Sequence, residues 1–188
     1  MKLLGIDEAG RGCCAGPLCM AGVILHHDIE GLTDSKKLTP KKREKLFPLI
    51  KQNATYHIVF KSASEIDTKG LSTCIKESLQ EILQKLEYDE VIFDGNSTFG
   101  VQGLQTMIKA DLKVPAVSAA SILAKVSRDR YMVELAKKYP QYQFEKHKGY
   151  VTKLHKEMMK KYGRCEEHRK SYKIKGLFEE FSQGSLFE

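Results

Sequence analysis

The chain has 188 residues, 41% of them hydrophobic, and a net charge of +7, which suits one domain with an ordinary core and is compatible with a polyanionic partner. Its five cysteines form no CxxC pair, and no apolar run approaches the ~18 residues that span a membrane, which excludes a disulfide scaffold and a membrane span. We therefore expect a soluble, cytoplasmic monomer with reduced thiols.

Two paired strands are predicted at the start of the chain. A short apolar run begins at Lys2 and ends at Asp7, and a second run covers residues 18–25. Glycines at positions 10, 12 and 16 lie between the two runs and permit a tight turn. This pattern indicates a hairpin with a glycine-rich connection.

Helix and strand patterns alternate through the middle of the chain. A helix is predicted to begin at Thr39 and Pro40, because proline is tolerated at the first helical position. Pro48 should kink or end this helix. Residues 56–61 alternate like a third strand, and apolar residues from Leu71 to Leu86 recur at helical spacing.

A fourth strand and two further helices are predicted in the second half. Residues 90–93 form an apolar run that stops at Asp94. Pro115 opens a long alanine-rich stretch with helical spacing, and another helix is predicted over roughly residues 151–162. Strands come first and alternate with helices later, so the predicted class is α/β with a mixed sheet.

The C-terminal part of the chain is strongly basic. Residues 137–175 hold 13 Lys or Arg and 4 Asp or Glu, so the rest of the chain is mildly acidic. This division suits an enzyme whose carboxylates hold metal while a separate surface holds phosphates, although a solvated helix would show the same lysines. Residues 1–175 are predicted to form one domain, with residues 176–188 as an appended tail.

Three acids stand where predicted strands end. Asp7 and Glu8 end the first strand and Asp94 ends the fourth, so two strands could deliver acids to one edge. Convergence would raise their pKa values and cost stability unless cations bound between them. Oxygen ligands favour Mg²⁺ or Mn²⁺ over zinc, and two such ions suit phosphodiester hydrolysis. Acids at strand ends are also common in ordinary loops, but the chain has no GxSxG, HExxH or Walker motif to indicate another chemistry.

The string GIDEAGRG at residues 5–12 closely resembles the opening signature of the type 2 ribonucleases H. The similarity covers about residues 3–172 and includes DSKKL at 34–38, FDG at 93–95, KAD at 109–111, AASILAKVSRDR at 119–130 and HKGY at 147–150. The resemblance implies a ribonuclease H-like fold, with a central mixed five-stranded sheet flanked by helices and a helical C-terminal extension. One departure is the pair Cys13 and Cys14, where the family more often has Pro-Leu, and it puts the rigidity of the preceding turn in question.

The resemblance also implies a set of catalytic, metal-binding acids: Asp7, Glu8, Asp94 and Asp111. Three of them are the acids already found at strand ends. Asp111 follows no clear strand, and from the residues alone it ranks level with Asp34 or Asp129. The implied cofactor is Mg²⁺ or Mn²⁺. The implied reaction is water attack on the phosphate 5′ to a ribonucleotide, leaving a 3′-hydroxyl and a 5′-phosphate.

The implied substrates are RNA/DNA hybrids and DNA that contains ribonucleotides. The turn formed by Gly10, Arg11 and Gly12 would contact the 2′-hydroxyl, because glycines let backbone amides approach closely and this hydroxyl separates RNA from DNA. Tyr150 matches the family tyrosine that stacks on the sugar just past an RNA to DNA junction. Phosphates could also be contacted by three basic residues, which would otherwise simply be solvated: Lys36, Lys125 and Arg169.

The end of the tail carries a second motif. Gln183, Leu186 and Phe187 form a Gln-x-x-Leu-Phe pattern that resembles the peptides with which bacterial replication proteins dock on the sliding clamp. Such docking would recruit the enzyme to newly made DNA, in replication and in ribonucleotide excision repair. The alternative is that the apolar tail packs back onto its own domain.

Two other functions stay open from the sequence. A non-catalytic binder of RNA/DNA hybrids could use the basic end alone, although clustered acids near phosphates would not help it. The other is a different nuclease on the same fold, such as a resolvase or a ribonuclease H of type 1 or type 3. Type 3 enzymes share the general layout but carry an extra N-terminal domain, whereas this chain starts directly at the first strand. The adjacent acids Asp7 and Glu8 disfavour the type 1 pattern.

Overall fold

A computed structural model of the chain describes residues 1–33 and 35–177, and the bulk of this part is organised around one mixed sheet. Within it the strands are β1 (Leu3–Ala9), β2 (Leu18–Leu25), β3 (Ala54–Lys61), β4 (Glu90–Asp94) and β5 (Gln105–Met107). The order across the sheet is β3-β2-β1-β4-β5. β2 is antiparallel to both β1 and β3, whereas β1, β4 and β5 run parallel. The expected mixed five-stranded sheet is confirmed.

Helices cover both faces of this sheet and form the C-terminal part. They are α1 (Pro40–Gln52), α2 (Ala63–Lys69), α3 (Leu71–Lys85), α4 (Ala110–Lys113), α5 (Pro115–Lys138), α6 (Phe144–His147) and α7 (Lys153–Tyr162). The predicted long helix from Pro115 is confirmed as α5. The predicted helix over 151–162 begins two residues later than expected, because Thr152 is its N-cap and accepts a hydrogen bond from the amide of His155.

Of the two outcomes expected at Pro48, a kink or an end of the first helix, the end is wrong. α1 continues past this residue to Gln52, and the side chains of Leu46, Phe47 and Ile50 are buried around the proline. A proline inside a helix removes one hydrogen bond, and here the burial of the apolar face on both sides of it offsets that loss.

The two faces of the sheet carry separate apolar cores. Along β1, Leu4 and Ile6 point to the face covered by α3, where they pack with Leu79 and other residues. Ala21 and Val23 of β2 point to the opposite face and pack against α1 and α5. This alternation follows from the two-residue period of a strand, and it places Asp7 on the α5 face and Glu8 on the α3 face.

Several short elements escaped the sequence patterns, α2 and β5 among them. α2 has a capping box, in which the hydroxyl of Ser62 accepts from the amide of Glu65 and the Glu65 carboxylate accepts from the amide of Ser62. β5 has only three residues, which is too short for a recognisable alternation. In residues 1–33 and 35–177, no helix has the length and apolar character needed to cross a membrane.

Candidate active site and metal centre

Two strands bring the first acids together. β1 and β4 are parallel and Ile6 is paired with Phe93, so the next residues, Asp7 and Asp94, stand side by side at one edge of the sheet. Parallel strands end at the same edge, which is why two acids far apart in the chain lie close in space. The Asp94 carboxylate accepts a hydrogen bond of 2.9 Å from the amide of Ala110, which ties β4 to the start of α4.

Asp111 joins this pair because α5 packs unusually closely on β1. A Cβ atom built on Gly5 would lie 2.3 Å from the backbone carbon of Ala116, so only glycine permits this contact. α4 immediately precedes α5, and the hydroxyl of Ser118 donates to the backbone carbonyl of Asp111. Among the described residues, carboxylate oxygens of Asp7, Asp94 and Asp111 all lie within 4.8 Å of one another.

Glu8 is not part of this group of three, and it approaches the same edge of the sheet from the other face of β1. One of its oxygens, Oε1, accepts a hydrogen bond of 2.5 Å from Nη2 of Arg11. Its other oxygen, Oε2, is buried and has no hydrogen-bond partner within the described part of the chain. A buried carboxylate oxygen without a partner is costly unless something else compensates its charge.

The electrostatics of the site favour a bound cation. Burial raises the pKa of Asp7 well above its usual range, and the neighbouring carboxylates of Glu8 and Asp94 raise it further. Burial also raises the pKa of Glu8, against the lowering effect of Arg11. A divalent cation would remove this repulsion, and the all-oxygen donor set together with Glu8 Oε2 fits Mg²⁺ or Mn²⁺.

The Gly-Arg-Gly turn follows directly after these acids. Gly10 has φ +90°, and a Cβ atom there would lie 2.1 Å from Nε of Arg128, so the turn requires glycine at this position. Gly12 is exposed, and a Cβ atom there would meet no atom within 4 Å. Arg11 lies over the ring of Phe99, with 5.3 Å between its guanidinium carbon and the ring centroid.

Two buried arginines hold this turn, and the sequence did not indicate either role. Arg128 donates to the backbone carbonyls of Ala15 and Pro17 at 2.8 Å each and to that of Lys148 at 2.6 Å. Arg169 donates to the carbonyls of Gly16 and Arg11 at 3.0 Å each. A charged guanidinium that donates to several backbone carbonyls at once fixes the loop more firmly than a neutral donor would.

The interpretation of Arg169 as a phosphate contact requires correction. Its side chain is fully buried between the Gly-Arg-Gly turn and the residues that follow α7. A side chain in this position supports the turn from behind and does not face the cleft. The rigidity questioned at Cys13 and Cys14 is supplied in part here, since both cysteines are buried and the Cys14 carbonyl accepts from the Arg169 amide at 2.8 Å.

A cleft of about 660 Å³ opens over the acids. Its walls include the acids Asp7, Glu8 and Asp94, the whole Gly-Arg-Gly turn, and Lys36, Lys125, Tyr150, Arg43 and Ser121. Tyr150 is 42% exposed, and Nζ of Lys125 lies 5.3 Å from the centroid of its ring. Lys36 is exposed in a single 3₁₀ turn, Ser35–Lys37. The structure thus brings these sequence-predicted residues to one cleft.

The remaining candidates lie elsewhere. Asp129 forms an ion pair of 3.0 Å with Lys125 one helical turn away, in agreement with its interpretation as an ordinary helix charge. Asp34 and the tail residues Gln183, Leu186 and Phe187 lie outside the described residues. Arg43 and Ser121 were missed, although Ser121 lies inside the motif at 119–130 that carries Lys125.

Comparison with known proteins identifies the family. The family model described as Ribonuclease HII matches residues 4–175. A ribonuclease HII from Sulfurovum sp. (strain NBC37-1) is 59% identical over 177 residues, which cover 94% of each chain. The solved PCNA:RNase HII complex from Archaeoglobus fulgidus has a chain that is 28% identical, with a TM-score of 0.81 and coverage of 93% of this chain and 96% of that one. The ribonuclease H2 from Pyrococcus horikoshii OT3 is 30% identical, with a TM-score of 0.78 and coverage of 92% and 94%. This chain therefore belongs to the ribonuclease HII family, a family of metal-dependent endoribonucleases.

Proposed function

We propose that the chain is an endonuclease that hydrolyses the RNA strand of RNA/DNA hybrids and cuts 5′ to ribonucleotides embedded in duplex DNA. The observation that carries this proposal is the convergence of the carboxylates of Asp7, Asp94 and Asp111, of which Asp7 and Asp94 line a cleft together with the Gly-Arg-Gly turn. Family membership supports activity on RNA/DNA hybrids. The products would be a 3′-hydroxyl and a 5′-phosphate.

The metal-binding part of the site would consist of four acids, Asp7, Glu8, Asp94 and Asp111. Two Mg²⁺ or Mn²⁺ ions, when bound, would supply activation of the attacking water and stabilisation of the leaving oxygen. The chain itself keeps the carboxylates close together against their mutual repulsion, through the amide of Ala110 on Asp94 and the amide of Glu8 on Asp7, at 2.9 and 2.8 Å. These contacts pre-orient the ligands before any cation arrives.

Recognition of RNA would come from the turn. Gly12 has open space beside it, so a sugar can approach the backbone there without meeting a side chain. Arg11 is half-exposed at the same place, and its contact with Glu8 links the turn to the acids. A 2′-hydroxyl that donates and accepts hydrogen bonds at this turn would distinguish a ribonucleotide from a deoxyribonucleotide.

The other wall of the cleft would hold the strand on the far side of the junction. Tyr150 presents a partly exposed ring on which a sugar can stack, and Lys125 lies beside that ring. Lys36 and Lys125 would contact phosphates. Phosphate contacts of this kind make binding depend on salt, so affinity should fall as ionic strength rises.

Cleavage of duplex DNA that contains one ribonucleotide tests this function, with Mg²⁺ and Mn²⁺ offered in turn and the cut position mapped. We expect a single cut on the 5′ side of the ribonucleotide. Asp94→Asn should lose cleavage and keep binding. Asp28→Asn, which changes an exposed acid in the loop after β2, is the matched control and should cut like the wild type. Full activity of Asp94→Asn would refute the assignment.

The same experiment distinguishes the nuclease from a non-catalytic protein that only binds RNA/DNA hybrids. Such a protein would bind the hybrid through its basic C-terminal part and leave it intact with either metal. A cluster of buried acids facing phosphates would weaken that binding, so the acid cluster favours the enzyme. Binding without cleavage by the wild-type chain would support the binder instead.

We also propose that the tail recruits the enzyme to a replication sliding clamp, through Gln183, Leu186 and Phe187. The Gln-x-x-Leu-Phe pattern supports this partner, as does the relative from Archaeoglobus fulgidus that was solved in a complex with PCNA. Such recruitment would direct ribonucleotide removal to newly made DNA. Clamp affinity should be lost on deletion of residues 183–188 and in a Leu186→Ala, Phe187→Ala double variant, and unchanged affinity in both would remove the proposal.

A further inference from the structure

Two fully buried histidines connect α7 and the residues after it to Tyr150 through hydrogen bonds. His155 lies on α7 and His168 follows that helix, with 0% and 1% of their surfaces exposed. Their Nε2 atoms are 2.9 Å apart. Nδ1 of His168 is 2.9 Å from the amide nitrogen of Cys165, and Nδ1 of His155 is 2.8 Å from the carbonyl oxygen of Tyr150. We call these two rings the histidine chain.

The backbone groups at its two ends determine where the protons are. The amide of Cys165 can only donate, so Nδ1 of His168 accepts and its proton is on Nε2. That proton is donated to Nε2 of His155, which leaves the proton of His155 on Nδ1, facing the carbonyl of Tyr150. An additional proton on either ring would place two donors against each other. The histidine chain is therefore complete only when both rings are neutral.

The surroundings of the histidine chain agree with neutral rings. His147 stacks on His155 with 3.9 Å between ring centroids, and the ring of Phe144 packs against both imidazoles of the chain at 5.7 Å. Burial lowers the pKa of His155 to about 4 and that of His168 to about 3. Neither ring has a carboxylate partner in the described residues that an ion pair would require.

His147 and His155 form hydrogen bonds with the backbone of residues 147–150, the segment that ends at Tyr150. Nδ1 of His147 accepts from the amide of Gly149 at 3.1 Å, and the amide of Tyr150 donates to the carbonyl of His147 at 3.0 Å. The carbonyl of Gly149 accepts from the amide of Cys14 at 3.0 Å, which joins this segment to the loop after the Gly-Arg-Gly turn. Imidazoles are costly to bury, so the hydrogen bonds that join these rings to the backbone of residues 147–150 point to a requirement for a fixed backbone there.

We propose that His155 and His168 are positioning residues for Tyr150, which hold its backbone so that its ring meets the sugar of the substrate. This inference rests on the proposed function, because it takes Tyr150 as a substrate contact. The ring itself is held separately, beside Lys125 and Arg128 at 5.3 and 5.9 Å. Loss of the histidine chain therefore shifts the backbone under the ring and weakens substrate binding more than the chemical step.

The first test is independent of activity. Long-range ¹⁵N–¹H NMR of the full wild-type chain at pH 7 reads which ring nitrogen carries the proton in each histidine. We expect the Nδ1–H form for His155 and the Nε2–H form for His168. The opposite forms, or a protonated ring at pH 7, would overturn the histidine chain whatever the enzyme cuts.

The second test is a double-mutant cycle with Tyr150 on duplex DNA that contains one ribonucleotide. His155→Leu should raise KM by about tenfold, as expected for one lost hydrogen bond, with kcat within about twofold of the wild type. His155→Asn keeps an amide donor in place of Nδ1–H and should recover most of the loss. In a Tyr150→Ala background, His155→Leu should add less than about twofold, because coupled residues are not additive.

The control variants distinguish a positioning role of His155 from a general loss of structure. His27→Leu makes the same chemical change at an exposed histidine after β2 and should leave KM unchanged. An equal loss from His155→Leu with and without Tyr150 would overturn the positioning role, as would a His155→Asn variant that is folded but no better than His155→Leu. If the wild type did not cut the duplex, the proposed function would fall, and the NMR result would still decide whether the histidine chain exists.

Discussion

Arg11 and Glu8 are joined by a hydrogen bond of 2.5 Å, from Nη2 of the arginine to Oε1 of the glutamate. The same guanidinium lies over the ring of Phe99, and Oε2 of the same glutamate is buried without a hydrogen-bond partner in the described residues. One oxygen of Glu8 is thus tied to the turn, and the other has no hydrogen-bond partner among the described residues. In the proposed function, recognition of the ribose and cation binding would be linked through this one carboxylate.

Loss of the Arg11 side-chain charge should therefore reduce activity sharply. Arg11→Gln is expected to lower kcat/KM on DNA with one ribonucleotide by roughly 10- to 100-fold, the value of a hydrogen bond to a charged group. Arg130→Gln is a matched control, because Arg130 forms an exposed ion pair of 2.6 Å with Glu44 and such pairs contribute little. Equal losses in the two variants would contradict the link between Arg11 and Glu8.

Asp7→Asn should make the metal-free protein more stable and deprive it of stabilisation by metal. The raised pKa of Asp7 means that its ionised form is unfavourable in the folded chain, so the residue costs stability as the pH rises from the ordinary value of 3.8 towards the raised pKa, and the full cost is present above it. Thermal unfolding at pH 7.5 in EDTA should show a higher Tm for the variant. Added Mn²⁺ should raise the Tm of the wild type and leave the variant unchanged. A lower Tm for the variant in EDTA would contradict the repulsion among the acids.

Two glycines of the turn should respond differently to alanine. Gly10→Ala combines a positive φ with a contact of 2.1 Å to Arg128, so it should cost about 1–3 kcal/mol of folding free energy as well as activity. Gly12→Ala meets no atom within 4 Å and should lose activity while its Tm stays within about 2 °C of the wild type. Urea unfolding and cleavage rates of both variants check this. Full activity in Gly12→Ala would show that nothing approaches the turn there.

The free energy of unfolding should decrease at acid pH, because the two rings of the histidine chain are neutral in the folded protein. The folded pKa values of His155 and His168, about 4 and about 3, lie below the ordinary value of 6.5, so the unfolded chain binds more protons between these limits. The contribution of each ring is complete above about pH 6.5 and is lost as the pH falls towards the folded pKa. His168→Gln should remove its share, on the order of 2 kcal/mol, from the decrease between pH 7 and pH 4.5. Urea unfolding at both pH values measures it, and a decrease equal to that of the wild type would contradict the neutral ring.

The sequence predicted the acids that lie at or near the ends of apolar strands, and it failed where the supporting element is very short. Asp7 and Asp94 follow runs whose pattern is local, so their convergence could be expected from two strands. Asp111 stands in a four-residue helix after a three-residue strand, and neither is long enough to show a period. Its place depends on the contact of Gly5 with Ala116, a tertiary contact without a local sequence signal, and only the family resemblance indicated Asp111.

The buried arginines could not be predicted for a related reason. Arg128 lies in a helix among Ser127, Asp129 and Arg130, where a local pattern indicates an exposed charge. Its carbonyl partners are far along the chain, Pro17 being 111 residues away. Arg169 was expected on the surface for the same reason and is enclosed in the structure. Local sequence gives no signal for a charge whose partners are backbone carbonyls of a distant loop.

Anomalous X-ray diffraction from crystals of the wild-type chain grown with Mn²⁺ tests most directly whether the four acids hold metal. We expect Mn²⁺ density among the carboxylates of Asp7, Glu8, Asp94 and Asp111, with Mn–O distances of about 2.2 Å. Crystals of Asp94→Asn under the same conditions should show weaker density or none. Density at another place on the molecule, with the four acids unoccupied at saturating Mn²⁺, would contradict the claim that they form the metal centre.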